Sequence, residues 1–554
     1  MRRGAVLLVA GAVLLAACGS DSGSKTTTSA AGVTTTAGST TTAGSGGSEG
    51  SATTGGVTPS VPVTSAVDTS KMDRDGSLTV AWQLALNTLD PLANTNAQNV
   101  AYQTPIYDTL IHLTPSGDLE PMLASSYKWS DDGLHFTMEL QPDVKFHDGT
   151  DLTADVVKAN IDRLINIETS PVKNAVRYVK DVTVDGPLTV TVNMTQPDAA
   201  LEFQLADRAG MMVSGKALAD GVDLSTNAVG AGAYKLTQFV ASDRIKYERF
   251  DGYWGDQNAA GVKSLEIIGV ADGQARLNGV LSGEFDAAYI TPSQASQAKS
   301  GGLDLQAQSG LFYVQLYLNR SRSKLGDVKV RQALAYALDR NAICTAIYLG
   351  YCSAGTQPYP DGSPWASPDV PADALAYDPA KAKQLLSEAG LPNGFELEVM
   401  IPAASDPYPQ LAELMQAQFA AVGVTMKINP VDISQLATKF FVDKQSDALI
   451  GGGGSTPEPA LLFNSYATST AFANPSGIAP PGMDDLVAQM AAALDKDDRA
   501  ALAQQAGKLV VDDVMNIILT RPQVIYAVRD NVVNWQPSLT LNYPITRGAG
   551  VTGN

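Results

Sequence analysis

The sequence predicts a mixed α/β (α+β) protein, and three observations carry that reading. Residues 77–82 and 134–140 alternate apolar and polar side chains with a period of two, as half-buried strands do. Residues 327–338 and 377–390 instead return an apolar residue every three or four positions, as amphipathic helices do. The two patterns are interspersed to the C-terminus with no internal repeat, which fits neither an all-helical nor an all-strand domain.

The first element is a leader. Arg2 and Arg3 precede an apolar run over residues 5–17, and Leu15-Ala16-Ala17 leads into Cys18, Gly19 and Ser20. A basic start, a short apolar stretch and small residues before a cut make an export signal. The run is shorter than the roughly 20 residues that span a bilayer. With cysteine at the cleavage position, the stretch resembles a bacterial lipoprotein signal, in which Cys18 becomes the lipidated first residue. The expected location is the outer face of the cell membrane, in the periplasmic or cell-envelope space. Residues 19–75 are Ser, Thr, Gly and Ala with almost no large apolar side chain. Such a segment buries too little surface to offset the entropy of ordering it, so a disordered stalk is expected. Its r.m.s. reach would be on the order of 35–40 Å.

The body begins near Ser77. Residues 182–194 read as a hairpin with Asp185-Gly186-Pro187 at the turn. A helix starting at Thr153 carries Val157, Ile161, Leu164 and Ile165 on one face. Another follows Asp327, with Val330, Leu334, Ala337 and Leu338 inward and Arg331 on the polar side. In 377–390, Asp378 is placed as N-cap and Pro379 at the first helical position. Ala382, Leu385, Leu386 and Ala389 form the stripe, and Gly390 ends the helix.

With Cys18 lipidated, Cys344 and Cys352 remain as an even pair in an oxidising compartment. Continuous helix would hold them about 12 Å apart, too far for a disulfide. Gly350 can end the helix and turn the chain back, which favours the bond over two free thiols. The net charge of −19 argues against nucleic acid or anionic lipid as partner. His112, His135 and His147 are scattered, and there is no His-Glu-x-x-His or Gly-x-Ser-x-Gly motif. No catalytic residue, metal or cofactor is therefore expected.

Several blocks in order carry a family resemblance: Leu89-Asp90-Pro91, then 106–111, 120–140, 144–156, 229–236, 281–286, 327–340 and 377–390. Each is weak alone, but their order and spacing resemble the extracytoplasmic solute-binding proteins of ABC importers, the peptide/nickel-type family 5. The strand ending at Leu140 is usually followed by a basic residue in that family, and here it is Gln141. The resemblance implies a two-lobed periplasmic-binding-protein-like fold (type II, cluster C). Its first lobe would comprise 77–116, 222–315 and 521–550, with an inserted subdomain at 117–221 and a second lobe at 316–520. It implies a monomer that closes on a small ligand, foremost an oligopeptide or peptide-like solute, and delivers it to permease subunits. Oligosaccharide or metal-chelate ligands, a sensor of the same fold and, more remotely, an exported hydrolase stay open at this point.

In peptide-binding members, a loop aspartate late in the second lobe takes the ligand's amino group; alignment puts Ser455 there. Glu458 is near enough to substitute, or it sits at a helix start with Thr456 as N-cap and Pro457 next. Gly453 and Gly454 offer bare backbone to a ligand, or form a packed bend. By the same resemblance Tyr289 and Thr291 line the cleft in the other lobe, and Tyr102 after the first strand offers a stacking face.

Overall fold

Alternation at 77–82 produces strand β1 (Ser77–Trp82), which buries Leu78, Val80 and Trp82. The computed structural model describes residues 70–94, 97–322, 324–403, 405–454, 456–536, 538 and 543–553. The leader with Cys18, nearly all of the expected stalk, and Ser455 lie outside the described residues.

Four antiparallel strands follow, in spatial order β2-β3-β5-β4: β2 (Ala124–Trp129), β3 (His135–Leu140), β4 (Val179–Val184) and β5 (Thr189–Met194). Helix α1 (Ala154–Asn166) packs Val157, Ile161 and Leu164 into the same core as Phe136 and Met138 of β3. The Thr153 hydroxyl caps it, accepting from Val156 N. Arg163 of α1 pairs with Asp90, so the carboxylate of the Leu89-Asp90-Pro91 block ties this small sheet to the chain after β1. A short helix, α2 (Ala200–Leu205), closes the unit.

The chain returns to β1 through β6 (Tyr234–Val240), β7 (Arg244–Arg249) and β8 (Ser264–Gly269). Helix α3 (Gly273–Ser282), β9 (Ala287–Ile290) and β10 (Asp304–Ser309) follow. Then come β11 (Tyr313–Leu318), α4 (Val328–Tyr336), α5 (Arg340–Tyr348), β12 (Cys352–Ala354) and α6 (Pro379–Glu388). After them run β13 (Glu396–Pro402), α7 (Tyr408–Ala420), β14 (Thr425–Val431) and β15 (Ala448–Gly453). Three helices, α8 (Pro459–Tyr466), α9 (Met483–Ala492) and α10 (Lys496–Asp512), precede the long β16 (Asn516–Val528).

All the large-sheet strands join one sheet of order β14-β13-β15-β11-β16-β9-β1-β8-β7-β6, with β10 and β12 also paired to β16. Strand β16 is the element common to both halves. Its first residues pair with β11, and Ile525 to Val528 pair with β9 and β10. Each half has its own apolar core, one around Trp82, Ile267 and Tyr526, the other around Leu316, Leu397 and Ile450. The protein is thus two lobes threaded on one strand.

One reading of the helices changes. Asp327 and Asp378 cap α4 and α6 as expected, but Arg331 is buried rather than on a polar face. Its guanidinium donates to the Leu325, Gly326 and Asp513 carbonyls at 2.7–3.0 Å and pairs with the Asp513 carboxylate at 2.7 Å. A long planar fork satisfies carbonyls left open at the C-terminal end of α10, which a periodicity argument does not see. In α6 the expected stripe packs on the second lobe's core, with Ala382 and Leu386 fully buried and Leu385 and Ala389 half-buried against it. Cys344 of α5 and Cys352 of β12 form a disulfide with Cα atoms 5.6 Å apart. Leu349 and Gly350 turn the chain back between them, at φ 52° and 84°.

Candidate functional site

The lobes meet where residues 309–314 run beside residues 521–524 of β16. Successive strand residues point to opposite faces, and a cavity lies against each. Ser309, Leu311 and Arg521 face a cavity of about 740 Å³; Phe312, Val314, Pro522 and Val524 face one of about 390 Å³.

The larger cavity has three walls. Tyr127 and Glu202 come from the inserted unit, the 116–119 turn from the short hairpin that leads into it, and Arg521 from the crossing. Trp365, Pro457 and Arg499 come from the second lobe. At its rim Lys496 pairs with Asp118 at 3.5 Å, and Ala199 N donates to Ala491 O at 2.8 Å, so the inserted unit touches α9 and α10 directly. Arg521 is 2% exposed. It donates to the Gln357 and Pro358 carbonyls and lies 5.2 Å from the Tyr313 ring centroid. Burial draws its pKa down to about 10. Arg499 donates to Ala493 O at 2.6 Å, and its Nε stands 3.4 Å from Glu458 Oε2. On the opposite wall Glu202 Oε1 accepts from Trp129 Nε1 at 2.8 Å, and burial raises the carboxyl's pKa.

The smaller cavity is aromatic. Trp82 and Tyr289 of the first lobe, in edge contact at 5.6 Å, face Phe312 of the crossing and Tyr348 and Tyr408 of the second lobe. Among the described residues, Asp406 is the single charged side chain on its wall.

The residues singled out from the sequence divide between these places. Tyr289 and Thr291 both line the smaller cavity. The Thr291 N–H and hydroxyl also meet Gln294 Oε1, which sets the short turn that follows β9. Tyr102 lines neither cavity. It is 1% exposed in the first lobe's core, its hydroxyl donating to Leu84 O, so its ring has no free face for stacking. Gly453 and Gly454 pack on aromatic neighbours: an added Cβ would come 2.7 Å and 2.1 Å from the Tyr313 ring. The Thr456 carbonyl accepts from Tyr359 OH at 3.2 Å. Thr456 is not the helix cap expected of it. That role falls to Glu458, whose Oε1 accepts from Ala460 N at 3.1 Å with Pro459 at the first helical position. Glu458 is thereby fully buried and turned from the larger cavity; burial pushes its pKa up to about 7 while Arg499 pulls against it. Glu202, Trp365, Arg499 and Arg521 carry no local motif, and sequence reasoning missed them. No group of His, Cys, Asp and Glu side chains among the described residues is arranged to hold a metal ion.

The profile of bacterial extracellular solute-binding proteins, family 5 (middle), matches residues 118–474. The chain is a family 5 solute-binding protein. Among its curated relatives, the glutathione-binding protein GsiB of Salmonella paratyphi A is 32% identical over 356 residues. That match covers 64% of this chain and 69% of the relative. GsiB of Escherichia coli O1:K1 is 29% identical over 469 residues, covering 81% and 89%. Among solved structures, HbpA2 from Haemophilus parasuis superposes with a TM-score of 0.77 at 24% identity, over 86% of this chain and 100% of that one. DppA from Helicobacter pylori in complex with the peptide STSA gives 0.73 at 19%, over 87% and 99%. At these identities the structures establish the fold, a two-lobed periplasmic-binding-protein fold. Family 5 proteins act outside the cytoplasm, where they bind small solutes or peptides for ABC permeases. This family 5 chain is accordingly a binding protein and not an enzyme.

Proposed function

We propose that the protein is the lipid-anchored receptor of an ABC importer, capturing a peptide or peptide-like solute between its lobes for delivery to the permease. The observation that carries this is the cavity of about 740 Å³ walled by the inserted unit, the crossing strands and the second lobe. Its volume falls within the roughly 300–1,000 Å³ of small-ligand sites. The names of the GsiB relatives and the peptide held by DppA favour a peptide-like ligand. Tyr289 and Thr291 line the smaller cavity and Pro457 the larger, and these three belong to the proposed recognition surface. The proposed moving parts are 77–116, 222–315 and 521–550 with the insert 117–221, closing on 316–520.

Ligand that touches both lobes stabilises the closed form, which the permease reads. Shifting such an equilibrium from 1:99 to 99:1 takes about 5.5 kcal/mol of differential binding. Native mass spectrometry should find a co-purified peptide-like ligand, and its addition should shrink the radius of gyration in small-angle scattering. Saturable binding without compaction would contradict the closure mechanism. The anchor has its own test: metabolic labelling with a palmitate analogue should mark the wild type and not Cys18→Ser.

A further inference from the structure

Beside the larger cavity the inserted unit rests on the second lobe. Ala199 N donates to Ala491 O across this seam, and an added Cβ at Gly133 would come 3.2 Å from Leu494 Cδ1. Three carboxylates gather at the seam. Asp198 and Glu202 come from the inserted unit, and the charge of each reaches Glu458 of the second lobe. Two guanidiniums answer them: Arg177 lies 3.4 Å from Asp198, and Arg499 lies 3.4 Å from Glu458 and also acts on Glu202. Arg499 is held in place, because its Nη1 donates to the Ala493 and Leu494 carbonyls. The other titratable neighbours are neutral, Tyr127 near Glu202 and Tyr359 near Glu458, while Lys496 and Asp118 pair with each other at the rim. Among the described residues the seam thus sets three carboxylates against two guanidiniums. Asp198 and Glu458 are buried, and burial raises the pKa of all three carboxyls, that of Glu458 to about 7. Glu458 Oε1 caps α8, whereas Oε2 accepts no hydrogen bond from a described residue and is open to a proton.

From this imbalance we infer that the seam is a proton-coupled latch. Asp198, Glu202 and Glu458 together take up one proton from solvent when the inserted unit closes on the second lobe, and release it when the two part. Parting moves Asp198 and Glu202 away from Glu458 and toward water, which relieves like-charge repulsion and lowers the proton affinity of all three. The closed form therefore holds the proton more tightly than the open one. Closing gains this advantage in full at acidic pH and loses it as pH rises through about 7. The inference rests on reading the protein as a closing trap, whatever ligand it takes.

Hydrogen exchange of the Ala199 amide in the full chain, read by mass spectrometry and corrected for the intrinsic rate at each pH, tests this. Its protection reports the seam, because Ala491 O is the acceptor that closing supplies. In wild type the protection should fall about tenfold between about pH 5.5 and 8. Glu458→Gln keeps an acceptor for Ala460 N without the charge, and its protection should stay high and flat across that range. Glu202→Gln removes one of the repelling charges and should raise protection about threefold at the alkaline end. Should Glu458→Gln fail to melt cooperatively, Glu202→Gln decides. Flat protection in wild type, or a slope that survives unchanged in the variants, overturns the inference. Small-angle scattering with tri-alanine keeps the two readings apart. A chain that compacts but shows flat protection loses the latch and keeps the trap, and one that does neither loses both.

Discussion

Arg276, Arg331 and Arg340 are each nearly buried, and each directs its guanidinium mainly at backbone carbonyls: Tyr289 and Val270 for the first, Leu325 and Asp513 for the second, Ile518 and Leu375 for the third. A lysine has one point charge and three donors where arginine has a five-donor fork. Arg331→Lys should accordingly lower stability by about 3 kcal/mol, read as a shifted urea midpoint. An unchanged midpoint would show that the carbonyls find other donors. Glu458 gives a pH signature. Its folded pKa of about 7 lies above the ordinary 4.5, so the native state holds the proton more tightly than the unfolded chain. That contribution is full below about pH 4.5 and is lost as pH rises through about 7. Melting temperatures of wild type should therefore fall relative to Glu458→Gln across that window; parallel curves would place the group's titration elsewhere. None of these roles was legible locally. Arg331 sits at a helical position that reads as polar, and its partner Asp513 is 182 residues away.

Elements were legible where their signals are short-range. Thr153, Asp327 and Asp378 each cap the helix that follows, because a side-chain acceptor just before an apolar-periodic run satisfies open N–H groups. The start of α8 was misplaced for an equally local reason. Thr456-Pro457 and Glu458-Pro459 both offer an acceptor followed by proline, and packing, with Glu458 facing Arg499, chooses the second. Asp378→Ala, at the exposed end of α6, should cost about 1 kcal/mol, measured by denaturant titration. The Cys344–Cys352 link closes a short loop between α5 and β12 and should contribute roughly 2.5 kcal/mol. Both thiols should alkylate only after reduction, and reduction should lower the melting temperature. Labelling of the unreduced protein would refute the link.

At the scale of the molecule, the cavities were the least legible part. Order and spacing of blocks led to two lobes, but the larger cavity draws its walls from residues as far apart as 118, 202, 365, 499 and 521. Only folding brings those together. The contact between Ala199 N and Ala491 O offers a handle on closure. Ala199 has φ −59°, which proline accepts, so Ala199→Pro deletes the donor without bending the chain. Removing that bond should weaken tri-alanine binding about fivefold, near 1 kcal/mol, with little change in melting temperature. Undiminished affinity would mean the contact persists in both open and closed forms. Strand β16 sets a last condition. Because a single uninterrupted ribbon is stitched to the strands on both sides, neither lobe can be cut out, swapped or expressed alone without leaving the other short of a central strand. Insertions and exchanges between homologues should therefore be tolerated in the outlying 117–221 unit and punished around 516–528, making the joint between the lobes the least interchangeable stretch of the chain.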